Sequence, residues 1–422
     1  MSTTVDTASL LLLEGTRLVH IGPPKTGTTS LQSAFHVGRA AIAQQGVHYT
    51  GANRQPTNAV RAVIGLANPM TGNPPKMKVW QDLVREVDRA GEPRVVISSE
   101  FFSRARAEAI KQIVEDLGAD RVHIVVTLRP LAKIISSQWQ QNVQNNVAVS
   151  FDDWLDAMFN QPDSKLATSF WLRHRHDKLI ARWAKVVGPS NLTVVALDEG
   201  DHGMVLRVFE QLVGLREGTL VPDRDLNNRS MTMPEIEVVR AFNTLFQAEG
   251  LSGPLHKKVM TYGAGAFMKR REPGADEPKI ETPQWALDRA GEIAREMIDA
   301  IVASDVRIVG DPEELTKVPG SRLAGTVQPE VSITPEIAAS AAMGMLIASG
   351  LARGATSSIP VDPEEPARAK AHSDDFVPRP TTEPLELVRI STPRLTGVLV
   401  RRVRVGLTVR KQRVLRRIRR EG

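Results

Sequence analysis

The 422 residues contain no cysteine. Disulfides, thiolate metal sites and a cysteine nucleophile are therefore excluded, and a reducing cytoplasm is the expected compartment. Long hydrophobic runs are missing as well. Near the N-terminus the only continuous apolar run is Leu10 to Leu13, ended at once by Glu14. With no basic segment before it, no signal peptide is expected. The nearest approach to a membrane span, Ile337 to Ala352, is uncharged but short and full of Ala, Ser and Gly. It reads as an alanine-rich helix with Thr334 as N-cap and Pro335 at its first position. What remains, 41% hydrophobic and 24% charged residues, is ordinary globular composition. The length fits one large α/β domain with additions, or two domains.

Net charge is +6, and its distribution matters more than its sum. Residues 385–422 hold 12 Arg or Lys against Glu386 and Glu421, leaving 42 basic and 46 acidic residues elsewhere. The main domain is thus mildly acidic and the tail strongly basic. Val400, Val403, Leu407, Val414 and Ile418 fall on one helical face of that tail, with arginines on the others. A basic amphipathic helix of this kind can lie on an anionic membrane surface, and a peripheral position at the inner face is expected. Electrostatic binding to nucleic acid or plain disorder are the competing readings, and no specific nucleic acid is expected.

Residues 16 to about 311 alternate short β-rich runs with helical patterns, which predicts a three-layer α/β sandwich around a parallel sheet. Strands are expected at Arg17 to Ile21, Arg94 to Ser98, Val122 to Leu128, Asn191 to Leu197 and Val306 to Val309. The second and third are almost continuously apolar, as expected where both faces are covered. Helices are expected from near Thr28 and at 104–117, 131–142, 172–187, 203–213, 234–248 and 283–303. Prolines then punctuate 312–384, read as a linker containing the alanine-rich helix. Residues 1–15 form an N-terminal extension and 385–422 the basic tail.

The sharpest feature is His20-Ile21-Gly22-Pro23-Pro24-Lys25-Thr26-Gly27-Thr28-Thr29-Ser30, between an expected strand and an expected helix. Small residues there let backbone N–H groups converge on an anion, and the helix N-terminus adds partial positive charge. The hydroxyls of Thr28, Thr29 and Ser30 add donors. A nucleotide triphosphatase loop reads G-x-x-x-x-G-K-[ST]. Gly22 and Gly27 match that spacing and Thr29 matches the final hydroxyl, but Thr28 fills the lysine slot and the lysine sits inside the loop as Lys25. No strand ends in the acidic residue that a Mg²⁺ site would want; the run after Arg94 to Ser98 is Ser99-Glu100. An ATP-dependent kinase is therefore the weaker reading of this P-loop-like nucleotide-binding fold.

Pro24 to Ser30 resembles the 5′-phosphosulfate-binding loop of sulfotransferases that use 3′-phosphoadenosine-5′-phosphosulfate (PAPS), especially the bacterial and heparan-sulfate-type branch with its K-T-G-T-T core. The resemblance implies that Lys25 contacts the bridging oxygen of the phosphosulfate. It implies that Thr26, Gly27, Thr28, Thr29 and Ser30 hold the 5′-phosphate, and that no metal is needed. In that family an arginine at a strand end, followed eight residues on by a serine, holds the 3′-phosphate, and Arg129 and Ser137 have this spacing. Pro130 departs from the family's usual Arg-Asn-Pro, which bears on how the next helix begins; Ser136 is the fallback for Ser137. A strand-end guanidinium can fork onto a phosphate.

The acceptor's proton requires a base. Glu100 follows a strand at its carboxyl end, where open α/β sheets place their ligands. A partly buried carboxylate with a raised pKa would suit the task, and the resemblance favours the same residue; its competing reading is a helix cap or ion pair. His123, within a strand, reads as a core residue, and His20 as a hydrogen-bonding neighbour of the loop. Three late basic clusters are candidates for closing the cofactor site: Asn227 to Ser230, Lys257-Lys258 and Lys269 to Arg271. Sequence does not choose between them. The expected activity is sulfuryl transfer from PAPS, giving the product PAP, onto a hydroxyl or amine of a glycan, a lipid or a small metabolite. A non-enzymatic nucleotide-binding protein with a basic tail is the alternative outside the enzymes.

Overall fold

The computed structural model describes residues 10–222, 229–320 and 331–350. The basic tail 385–422, most of the proline-rich stretch, and Asn227 and Asn228 lie outside the described residues.

Six strands form one sheet in the order β2-β3-β1-β4-β5-β6, and all five pairings are parallel. The strands are β1 (Arg17–Ile21), β2 (Val47–Tyr49), β3 (Arg94–Ser98), β4 (Val122–Leu128), β5 (Leu192–Ala196) and β6 (Arg307–Val309). Between β1 and β2 come α1 (Thr28–Val37) and α2 (Arg39–Ala43), and between β2 and β3 come α3 (Thr57–Val63) and α4 (Met77–Arg89). A 3₁₀ turn, Glu100–Arg104, and α5 (Ala107–Asp116) lead to β4. Four helices, α6 (Leu131–Gln144), α7 (Phe151–Asn160), α8 (Lys165–His174) and α9 (His176–Val187), precede β5. Then follow α10 (Met204–Val213), α11 (Met233–Ala248), α12 (Gly253–His256), a π-helical stretch Lys257–Ala264, α13 (Gly265–Met268) and α14 (Gln284–Val302). The alanine-rich stretch forms α15 (Pro335–Ser349). None of the described helices is long and apolar enough to cross a membrane.

The strands are apolar almost throughout because both faces are covered. Val19, Ile21, Val95, Ile97, Ile124, Val126 and Val194 pack with α3, α4, α5 and α9 on one face. Leu18, Val96, Val125 and Val195 pack with α1 and α10 on the other. The three-layer sandwich expected from sequence is thus the fold observed. A further helical core unites α6, α7, α8, α11, α14 and α15 around buried Trp139 and Trp154.

Several details differ from the sequence expectation, and α2, α3, α4 and α7 form where no helix was expected. Strand β2 lies at the sheet edge and spans only three residues, too few for a recognisable apolar run. The helix expected over 172–187 is broken at Arg175, whose ψ of 83° is not helical. Arg175 there donates to the Asp177 carboxylate at 2.8 and 3.0 Å. The helix expected from 104 begins at Ala107, because Ser99 caps a separate 3₁₀ turn through the Phe101 N–H.

After β1 the chain builds β2 and β3 on one side, then returns to build β4, β5 and β6 on the other. The carboxyl end of β1 is therefore a topological switch point, where open α/β sheets leave a crevice for ligands.

Candidate active site

The loop after β1 leaves that switch point and enters α1 through Gly27, which is left-handed at φ 76°. Lys25 is also left-handed, at φ 75°, a conformation that costs a side-chain-bearing residue about 1–3 kcal/mol and tends to persist at functional sites. Left-handed turns at alternate positions aim successive N–H groups into one concavity. Gly22 lies against the start of the helix. A Cβ there would stand 1.8 Å from Thr28 Cγ2 and 3.1 Å from Thr127 Oγ1, so any side chain would force Thr28 or the loop to shift.

A buried hydrogen-bond chain hangs the loop from the sheet. The parallel register sets His20 level with Ser98 of β3, and Ile21 level with Val126 of β4, one residue before Thr127. His20 Nδ1 lies 2.7 Å from Ser98 Oγ and its Nε2 3.1 Å from Thr127 Oγ1. Thr127 Oγ1 is 3.1 Å from Thr26 Oγ1, which donates to the Pro23 carbonyl at 2.8 Å. Because Thr26 gives its proton to Pro23, it must accept from Thr127, and Thr127 must accept from His20 Nε2–H. Nδ1 then accepts from Ser98, which accepts from Gln32 Nε2 at 3.2 Å. The donors run one way from Gln32 to Pro23, and the histidine in the middle is neutral. Burial agrees, pushing its pKa down to about 3. His20 thus reaches the loop through Thr127 and positions it.

Lys25 Nζ donates to Gln141 Oε1 of α6 at 3.3 Å. Burial lowers the ammonium's pKa; Lys269 adds to the effect and Glu100 opposes it. Glu100 opens the 3₁₀ turn after β3, half-buried. Burial raises its pKa, against the charges of Lys25, Arg173, Arg104 and Arg61. Among the described residues, no cation lies within ion-pair distance of its carboxylate. The charges of Lys25 and Glu100 therefore act on each other without a direct ion pair.

Arg129, at the carboxyl end of β4, reaches the same loop from the other side. Its Nη1 donates to the Lys25 carbonyl at 3.2 Å. Its Nε and Nη2 fork onto the Glu199 carboxylate, both at 2.5 Å, so the face expected to meet a phosphate is engaged by an acid beyond β5. Ser137 donates to the Ile134 carbonyl at 2.9 Å, within α6. It lies one helical turn before Gln141 and shares its face, the face that meets Lys25. The structure thus joins Lys25, Glu100 and Arg129 around one loop, while the Ser137 hydroxyl is occupied inside its own helix.

Of the late basic clusters, Lys269 is the one whose charge acts on Lys25. Arg229 donates to the Met268 and Lys269 carbonyls at 2.6 and 3.1 Å, fixing that backbone. The charges of Arg229 and Arg271 are met by Glu235, with Glu277 also pairing Arg271. Glu235 in turn closes the N-terminus of α11 in a capping box with Thr232. Among the described residues no carboxylate lies within ion-pair distance of Lys269, and burial lowers its pKa. Lys257 instead lies over the Tyr262 ring. His123 sits at the amino end of β4, away from the loop, buried and bonded to Thr193 at 2.8 Å.

Gln141, Thr127, Ser98 and Glu199 were not among the sequence candidates. Glu199 carried a usable signal, since like Glu100 it follows a strand at its carboxyl end.

No protein-family model matches the chain, and no curated protein does. Among solved structures it is similar to the crystal structure of a sulfotransferase from Alicyclobacillus acidocaldarius, at 17% identity and a TM-score of 0.36. That likeness covers 61% of this chain and 99% of the other. At that similarity it adds nothing to what the side chains themselves say.

Proposed function

We propose that the chain is a PAPS-dependent sulfotransferase whose donor lies across the β1 switch point. The observation that carries this reading is the arrangement around Lys25: its ammonium is held by Gln141 and senses the charge of Glu100, and its carbonyl is held by Arg129. PAPS would supply an activated sulfuryl group with PAP as leaving group. The loop from Lys25 to Ser30 fits the 5′-phosphate through the N–H groups at the start of α1, the hydroxyls of Thr28, Thr29 and Ser30 and the close-packed Gly22, while both donors of Thr26 are turned onto the Pro23 carbonyl. Arg129, with Ser137 nearby on α6, would take the 3′-phosphate.

Glu100 would accept the proton of the acceptor hydroxyl or amine as that atom attacks sulfur. One bond forms from acceptor to sulfur, and the bond from sulfur to the bridging oxygen breaks. Lys25 would offset the charge that the departing electron pair leaves on the 5′-phosphate, and Lys269 would add a second positive charge on the same side. Lowered lysine pKa values accord with ammonium groups held ready in a desolvated pocket. Against a kinase, Thr28 is buried where the helix lysine of a triphosphatase loop would project.

Calorimetry on the full chain tests this reading. Binding of PAP that is tight and indifferent to Mg²⁺, with weak binding of ATP, supports it, and turnover of labelled PAPS separates an enzyme from a binder. Tighter binding of ATP with Mg²⁺ than of PAP would overturn it. We further propose that residues 385–422 bring the enzyme to anionic membranes carrying its acceptor. Deleting that segment should abolish sedimentation with phosphatidylserine vesicles; unchanged sedimentation defeats the idea.

A further inference from the structure

The positive charge around Glu100 exceeds what the nucleotide can use. Lys25, Arg61, Arg104 and Arg173 all act on that one carboxylate. Lys25 belongs to the loop, and the nucleotide's other clamp, Arg129, stands on the far side of β1. Three arginines remain on the β3 side. Arg61 on α3 is tied down: its guanidinium lies 4.3 Å over the Phe101 ring and donates to the Ala67 carbonyl.

Arg104 and Arg173 differ. Arg104 ends the 3₁₀ turn that Glu100 begins, and Arg173 is the penultimate residue of α8, which packs on that turn. Arg173 is only 5% exposed, and its Nε donates to the Ser169 carbonyl at 3.0 Å. Among the described residues neither arginine has a carboxylate within ion-pair distance; Arg104 repels Arg173, and Glu100 offsets part of that from beyond ion-pair distance. Burial together with that repulsion brings the Arg173 pKa down to about 9. Two cations held close together and largely out of water are costly unless an anion joins them.

We infer that the acceptor carries an oxyanion of its own, a carboxylate or a phosphate, which seats on Arg104 and Arg173 while the attacked hydroxyl faces Glu100. This rests on the reading of the site as a sulfuryl transferase and adds the class of substrate. Each guanidinium offers parallel N–H groups suited to such an anion, and a neutral alcohol would leave both without an anion at ion-pair distance. The distance between the anion and the reacting hydroxyl is set by the length of one short 3₁₀ turn. The acceptor is therefore expected to carry both on the same small unit.

The test uses the full chain saturated with PAP and two matched pairs of probes. Methyl glucuronide is compared with methyl glucoside, and glycerol 3-phosphate with glycerol. At least one anionic probe should bind about tenfold or more tightly than its neutral partner, and the pair that responds tells carboxylate from phosphate. Arg104→Gln should erase that preference, and Arg104→Lys should retain part of it. A melting curve on each variant confirms folding. PAP affinity, measured in parallel, should change little, because the nucleotide's clamp lies across β1. If PAP binds but neither anionic probe outdoes its partner at millimolar concentration, the inference falls and the transferase reading stands. Equal preference in wild type and Arg104→Gln overturns it as well. Failure of PAP to bind wild type defeats both.

Discussion

The Arg129 guanidinium is forked by the Glu199 carboxylate, with both contacts at 2.5 Å, while its remaining arm holds the Lys25 carbonyl. Glu199 is itself drawn below the usual carboxylate range, first by that hydrogen bond, with Lys133 and His202 contributing. An anion arriving at Arg129 must displace or share this carboxylate. Glu199→Gln keeps the side chain's shape and removes the competing charge, so PAP should bind about three- to tenfold more tightly. Arg129→Gln should weaken PAP by about tenfold or more and flatten its salt dependence. Weaker PAP binding in Glu199→Gln would mean that the acid orients the arginine rather than competing for it.

Lys25 and Glu100 are expected to act on turnover more than on binding. Lys25→Ala should lower kcat by about a hundredfold to a thousandfold, and Glu100→Gln by about a hundredfold or more. PAP affinity should survive the second change. Because burial raises the Glu100 pKa, its base form is lost as pH falls through a value above the ordinary carboxylate range. The acid limb of kcat/KM should lie correspondingly high. Removing the positive charge of Arg104 should move it higher still, since that charge favours the ionised form. A pH profile that is the same in wild type and Arg104→Gln would count against Glu100 as the base.

Gly22→Ala tests the cradle without touching a charged group. The added methyl would collide with Thr28 at the helix start. The loop must shift, at about 1–3 kcal/mol in stability, and PAP affinity should fall about tenfold while the far-ultraviolet circular dichroism is kept.

Acid should destabilise the fold well before the carboxylates are protonated. His20, His123, His176 and His256 are buried, and burial holds their pKa values at about 3, 4, 4 and 4. Below the ordinary histidine value of 6.5 the unfolded chain takes up protons that the folded chain refuses, so stability falls as pH falls. For each such histidine the slope approaches about 1.4 kcal/mol per pH unit until its folded value is reached. Melting temperature should drop steeply between pH 6.5 and 4. His20→Asn should be less stable at pH 7 and show a shallower slope. An unchanged slope would place His20 outside this account.

What the sequence disclosed was whatever its chemistry packs into neighbouring residues. The run from His20 to Ser30 could be read because strand, turn, glycines, lysine and hydroxyls lie in a row, and the apolar runs of β1, β3 and β4 announced a sheet covered on both faces. Glu100 was visible as the acid after a strand. Contacts made across the fold were not: Gln141 meets Lys25 from another helix, and Glu199 meets Arg129 from another strand end. The same holds for Arg104 and Arg173, which share a neighbourhood because α8 packs on the 3₁₀ turn. The three late basic clusters looked equivalent in sequence. The structure distinguishes them: Glu235 pairs with Arg229 and Arg271, Lys257 lies over Tyr262, and the charge of Lys269 acts on Lys25.

Helix α15 lies across the π-helical stretch with Gly344 against Gly263, so tightly that a Cβ on either glycine would come within 2.8 Å of the other's backbone. The backbone that carries Lys269 continues directly from this crossing through α13. A chain trimmed at Asp311, where the α/β pattern gives out, would strip away the brace behind that lysine and leave the loop after β1 untouched. Such a truncation would imitate a catalytic defect although every residue of the loop remained in place.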